Sequence, residues 1–272
     1  MEDSRILSIK NIYDALCKAG TVGVSVSIRN DASKVPATEK DLSDILQLPL
    51  ANNERSDYQI SYKNLKDIVD LSKTSRYQRR EYIENTGNQF VDTGFKPSNL
   101  TSYVLDMQFV SAKNNSDNHF FSVNATNTYF ALRLSNNKTS FSVRWGRGAL
   151  TVLPHSGNLT DRHVFTCDKG VFQCDNSEPV SFEPTVFTQP QTISLCTFTN
   201  NNGVHSSNSC IRIYSLQMYE DGELVRDMVP CYDTQSNTRG LYDFVRQTFT
   251  KNGGTGAFTL GPQTGYIIDP NS

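Results

Sequence analysis

Apolar and polar residues alternate with a period of two through most of the chain beyond residue 81, and a period near 3.6 occurs only before it. Tyr103, Leu105, Met107 and Phe109 alternate with Val104, Asp106, Gln108 and Val110, the pattern of a strand with one buried face. Short strands are predicted at His119 to Val123, Tyr129 to Leu134, Ser140 to Trp145, Leu150 to Leu153 and Arg162 to Cys167. More follow at Val171 to Cys174, Thr192 to Phe198, Ser206 to Tyr219, Leu224 to Tyr232 and Ala257 to Leu260. In the Ser140 run, Phe141, Val143 and Trp145 share a face, which gives Trp145 a place in the core.

Turn residues punctuate these runs. Asp221-Gly222 predicts a tight hairpin, because both residues tolerate positive φ. Pro230 has no N–H for a ladder and is expected to end the following strand. Asp168-Lys169-Gly170 predicts a three-residue loop in which Cys167 lies opposite Val171 and Cys174 opposite Val164. That register puts the two sulfurs on opposite faces and excludes a disulfide between them. About ten to fourteen short strands in roughly 190 residues argue for two packed antiparallel sheets.

The N-terminal part differs. Ser4 to Ala19 carries Ile6, Ile9, Ile12, Tyr13 and Leu16 on one helical face, with Gly20 as a stop. Thr21 to Arg29 alternates as a strand, Thr38 caps a short helix from Glu39 to Ile45, and Pro49 keeps Leu46 to Leu50 out of a helix interior. A strand from Asp57 to Ser61 then leads into a helix from Tyr62 to Leu71. Residues 1–80 hold 24 charged side chains against 30 in residues 81–272, so the composition shifts near residue 80. The basic run Lys73, Arg76, Arg79 and Arg80 reads as a solvated linker rather than a nucleic-acid contact. The expected organisation is an assembly module at 1–72, a linker at 73–80, a sandwich domain at 81–264 and a tail at 265–272.

A net charge of −2 gives no reason to expect nucleic acid or a membrane as partner. No run approaches the roughly 18 apolar residues of a membrane span, and the first residues lack the apolar segment of a secretory signal. Cys17, Cys167, Cys174, Cys196, Cys210 and Cys231 form no C-x-x-C pair and are expected to be reduced.

Candidate chemistry is sparse. The densest acidic spot, Glu220-Asp221-Gly222-Glu223, is a turn, and Glu81 and Glu84 have no evident partner, so no pair of carboxylates is set for glycoside cleavage. His119, His155, His163 and His205 share no ligand spacing and read as surface or strand-edge residues. Asp117 and Asp161 are the loop acids available to calcium, without a calcium-loop pattern around them. Tyr129, Trp145 and the Asn-rich turns are the groups a sugar could meet. The sequons at Asn99, Asn114, Asn124, Asn137 and Asn158 fit the general abundance of Asn, Ser and Thr. No catalytic residue, metal ligand or cofactor is assigned, and the ligand-binding residues stay open.

Two resemblances add to this. Leu48-Pro49-Leu50-Ala51 and Ile60-Ser61-Tyr62-Lys63-Asn64-Leu65 resemble a short module near the N-termini of bacteriophage fibre and tail proteins. EYIENTGNQFVDTGF from Glu81, and the stretch from CTFTNNNG at Cys196 through CIRIYSLQMYEDGELVRDMVPCYD to Gly261, resemble concanavalin A-like, laminin-G-like jelly-roll domains of phage fibres, prophage proteins and gut-bacterial surface proteins. The resemblance implies a mainly β fold: a two-sheet antiparallel jelly-roll sandwich after a small α/β N-terminal module. It implies a non-enzymatic virion protein, a head or tail fibre assembled in the host bacterial cytoplasm. Such a protein would contact other virion proteins and copies of itself, and host polysaccharide through a lectin-like domain. A bacterial carbohydrate-binding surface protein without catalytic activity is the alternative, and a glycan-cleaving enzyme lacks its acid pair.

Overall fold

The computed structural model describes residues 76–112, 118–125, 127–135, 138–183, 185–203, 205–206 and 209–267. The helices and strands expected between Ser4 and Leu71 lie outside the described residues. The chain divides into two units, residues 79–263 and residues 1–78 together with 264–272. The first unit is built of β-strands, and no helix among the described residues is long and apolar enough to cross a membrane. The end of the basic run is itself a strand, Tyr77–Arg80.

Two sheets make a sandwich of jelly-roll type. The larger orders Val180–Ser181, Val171–Cys174, Arg162–Asp168, Thr101–Ala112, Ser209–Glu220 and Glu223–Asp233 side by side. Thr238–Asp243 adds to Glu223–Asp233 and carries Thr248–Lys251, while Ile83–Glu84 pairs with both Ser209–Glu220 and Thr259–Leu260. The smaller sheet orders His205–Ser206, Phe198–Thr199, His119–Ala125, Thr128–Leu134, Phe141–Gly146 and Thr151–Leu153, with Ser194–Leu195 linking His119–Ala125 to Val91–Asp92. Among these strands pairing is antiparallel except that Phe198–Thr199 runs parallel to His119–Ala125. The run expected from Thr192 to Phe198 is broken at Cys196, whose φ of 65° turns the chain between the two short strands.

The alternation of the sequence becomes the core. Tyr103, Leu105, Met107 and Phe109 point inward from the larger sheet, and Phe121, Phe130, Phe141, Val143 and Trp145 meet them from the smaller one. Aromatic edges lock the layers: Tyr103 against Phe121 at 5.2 Å between ring centroids, Phe141 against Phe165 at 4.9 Å, and Trp145 against Phe172 at 5.8 Å. Each such side chain, fully buried, contributes about 1.5–3 kcal/mol.

Turn chemistry sets the registers, and two differ from the sequence expectation. The Asp221-Gly222 hairpin forms as predicted, with φ of 49° and 86°. The other hairpin closes on two residues, Lys169 and Gly170, at φ 47° and 95°, so Val171 pairs with Asp168 and Phe172 with Cys167. That one-residue difference reverses the faces. Cys167 and Cys174 both point into the core, diagonal to one another, and both thiols are free. Pro230 does not end its strand but sits inside Glu223–Asp233 opposite Leu241, beyond Met228 where pairing to Ser209–Glu220 stops.

Candidate functional site

The outer face of the larger sheet carries a row of polar and aromatic side chains drawn from four strands. Register places Arg212 opposite both Gln108 and Glu84, and Gln108 opposite Arg162. Ile211 and Ile213 on the same strand are fully buried, so Arg212 between them must face outward. A bulge between Ile213 and Ser215 then breaks the alternation, and Tyr214 stays on the outer side as the extra residue.

These groups form one connected network. Arg162 grips Asp106 with both nitrogens, Nε to Oδ1 at 2.8 Å and Nη2 to Oδ2 at 2.6 Å, and lies 3.7 Å from the centre of the Tyr214 ring. Arg212 donates from Nε to Glu84 at 2.6 Å and from Nη1 to Gln108 at 3.2 Å, and its guanidinium lies 4.6 Å from the Tyr82 ring. The Tyr214 hydroxyl donates to the same Gln108 oxygen, and the two tyrosines meet edge to face at 5.6 Å. Hydrogen bonds to Asp106 and Glu84 hold the two arginines still more firmly in their charged forms, and burial pushes the Tyr214 phenol up.

Two cations and two anions cancel, so the row is polar and uncharged in sum. It offers guanidinium and amide donors, carboxylate and amide acceptors and two phenol rings. That inventory suits a ligand rich in hydroxyl groups and C–H faces. Neither Asp106 nor Glu84 is a spare acid or base, because each is committed to an arginine.

The residues singled out from sequence scatter. Trp145 is 2% exposed and packs on Phe130, Phe172 and Phe187, a core residue as expected. Tyr129 lies on the opposite face of its sheet, 3.5 Å beneath the Arg144 guanidinium, so the two candidate sugar contacts are not brought together. Glu220 and Asp221 are more than solvated turn charges. Glu220 accepts from Ser98 Oγ and Thr101 Oγ1, and Asp221 pairs with Lys169 at 2.9 Å. Glu84, without an evident partner in sequence, has Arg212.

The histidines also depart from expectation. His119 is buried, with Nδ1 at 2.9 Å from Ser122 Oγ and its ring on Phe198. His163 is 2% exposed, with Nδ1 at 2.7 Å from Asp175 Oδ2 and Nε2 at 2.9 Å from the Asn158 carbonyl. His155 is half-buried, its ring perpendicular to that of His163 at 6.0 Å. Asp161 accepts from the Asn158 N–H at 2.8 Å and so closes a local turn. Asp117 lies outside the described residues.

One further set of ligand-type atoms converges: those of His163, Cys174 and Asp175 lie within 4.8 Å of one another. Cys174 Sγ is 3.7 Å from Asp175 Oδ2. Burial pushes the Asp175 carboxyl up, but hydrogen bonds from His163 and the Val164 N–H outweigh it and hold the group below the usual carboxylate range. Sequence spacing gave no sign of this set, because only the hairpin register joins residue 163 to residues 174 and 175.

Fold and site together define a β-sandwich with an uncharged, aromatic-backed polar face. No family model and no curated protein matches the chain. Among solved structures, the native heptameric SAP-like pentraxin of Limulus polyphemus is similar over 69% of this chain and 94% of its own, at 8% identity and a TM-score of 0.38. A likeness that low says nothing of ligand or assembly.

Proposed function

We propose that this chain is a bacteriophage virion structural protein, a capsid (head) or tail fibre subunit that binds glycan and catalyses nothing. In this reading residues 1–72 attach it to other virion proteins and to copies of itself, after assembly in the host cytoplasm. The sandwich is displayed towards host-surface polysaccharide, with no role for nucleic acid, membrane or cofactor. The observation that carries the glycan part is the row Arg162, Gln108, Arg212 and Glu84 with Tyr214 and Tyr82 beside it. Its side chains are already ordered by their own hydrogen bonds, so a sugar meets a preorganised surface. The viral part rests on the resemblance of Leu48 to Ala51 and Ile60 to Leu65 to phage fibre modules, and of the paired stretches at Glu81 and Cys210 to jelly-roll domains of such fibres.

Two experiments test it. On a glycan array, the full chain should bind host polysaccharide, and Arg162→Ala with Tyr214→Ala should lower that binding at least tenfold. Absence of binding to any host polysaccharide would sink the glycan part. Immunogold labelling of virions tests the viral part. A monomeric protein that still incorporates at full level after removal of residues 1–72 would contradict it.

A further inference from the structure

We propose that His163, Cys174 and Asp175 form a binding site for a borderline-soft divalent cation of the zinc class, at the open end of the hairpin formed by Arg162–Asp168 and Val171–Cys174. This site is separate from the polar face and does not depend on the glycan reading.

The argument begins with the ring of His163. Its Nε2 faces the Asn158 carbonyl at 2.9 Å, and a carbonyl only accepts, so Nε2 carries hydrogen. A backbone carbonyl on the far nitrogen is the arrangement that fixes a metal-ligating imidazole and leaves its other nitrogen to the ion. That other nitrogen, Nδ1, points at Asp175 Oδ2 from 2.7 Å. A carboxylate also only accepts, so a neutral ring would set lone pair against lone pair. Something positive belongs between Nδ1 and Oδ2, either a proton or a metal ion.

The third side chain favours the metal. Cys174 Sγ lies 3.7 Å from the same oxygen, and sulfur with imidazole selects zinc-like ions over calcium or magnesium. In a tetrahedral zinc site neighbouring ligand atoms stand about 3.3–3.6 Å apart. The sulfur is already near that distance from Oδ2, and admitting an ion asks Nδ1 and Oδ2 to part by about 0.6 Å. Asp175 can yield: its side chain is 29% exposed, which also opens a fourth position to water. Its other oxygen stays pinned by the Val164 N–H at 2.9 Å, an orienting contact of the kind metal-bound carboxylates keep.

Charge balances on binding. Without metal one proton must lie between Nδ1 and Oδ2, and Cys174 has to shed its thiol hydrogen to bind as a thiolate. An incoming dication displaces the thiol proton and the proton at Nδ1. Two protons leave, two positive charges arrive, and the buried site is neutral before and after.

The test uses the full chain, stripped by chelator and titrated with Co²⁺, then Zn²⁺, in weak buffer near neutral pH. One Co²⁺ per chain should bind with a thiolate-to-cobalt absorption band, Zn²⁺ should displace it, and two protons should be released per zinc. Cys174→Ser should abolish the band and His163→Gln should weaken binding at least 100-fold. Cys167→Ser, on the same hairpin but outside the set, should keep both. The proposal is overturned if folded wild-type protein takes up no cobalt, or if the band survives in Cys174→Ser. Should that variant fail to fold, the wild-type proton count decides: two protons support the site and fewer overturn it.

Discussion

Arg226 and Asp243 face each other in the interior, with Nε 3.6 Å from Oδ2. Arg226 also donates to the carbonyls of Thr93, Val225 and Gly94, so one side chain ties the Glu223–Asp233 strand to the 93–94 turn. Asp243 Oδ1 accepts the N–H groups of Asp227 and Val245, while Oδ2 has no hydrogen bond among the described residues. Replacing Arg226 by Met therefore strands a buried carboxylate, and a loss of about 3–5 kcal/mol in urea unfolding is expected. Adding Asp243→Asn keeps the two backbone bonds and removes the stranded charge. The double variant should be more stable than Arg226→Met alone.

Tyr103 gives the opposite sign. Its ring fills the core between Phe121 and Phe130, but its hydroxyl finds no partner among the described residues. Burial raises the phenol well above its usual range, with Cys167 and Cys174 as smaller causes. Tyr103→Phe should stabilise the protein by about 1 kcal/mol, since it removes an unpaired buried polar group and keeps the ring. Calorimetry should show a higher Tm.

Two turn glycines separate backbone strain from collision. Both Gly170 and Gly222 have positive φ, at 95° and 86°. A Cβ on Gly222 would meet nothing within 4 Å, whereas one on Gly170 would come 3.0 Å from Trp145 Nε1. Gly222→Ala should cost about 1 kcal/mol. Gly170→Ala should cost more, about 2–3 kcal/mol, because Trp145 is held by the core on its other sides. Paired denaturation curves would show the difference.

The buried thiols predict an alkaline limb. Burial, the largest cause in each, pushes Cys167 and Cys196 well above the ordinary thiol value of 9.0. A raised folded pKa favours the folded state fully below the unfolded value, and that contribution is lost as pH rises from 9.0 towards the folded value. Stability should fall above about pH 9, by about 1.4 kcal/mol per pH unit for each such thiol. Cys196→Ala should make the fall shallower by that amount per unit. Peptide mapping after native alkylation should find Cys167 and Cys196 protected relative to the half-buried Cys210.

Much of the fold can be read from residue order, because strand alternation and turn chemistry are local. Tyr103 to Phe109 and Phe141 to Trp145 each announce which face is inward, and Asp221-Gly222 announces its hairpin. Register is not local. Asp168-Lys169-Gly170 permits a loop of two or three residues, and only packing of Phe172 and Cys174 against the core selects the shorter one. The sites inherit that difficulty. Arg162, Gln108, Arg212 and Glu84 are four unconnected polar residues until pairing aligns them across neighbouring strands. His163 and Asp175 likewise meet only through the hairpin. Pro230 misled for a related reason: whether a strand can hold a proline depends on pairing that only the fold sets.

The strand Ser209–Glu220 has a consequence for how such a surface could change. Ile211 and Ile213 hold the interior, while Arg212 and Tyr214 supply the exterior. Core packing and surface chemistry are thus spelled in interleaved letters of one word. Substitutions at Gln108, Arg162, Arg212 and Tyr214 can redraft the chemistry of the face while the inward letters stay fixed. A combinatorial library confined to those four positions would start from an intact scaffold.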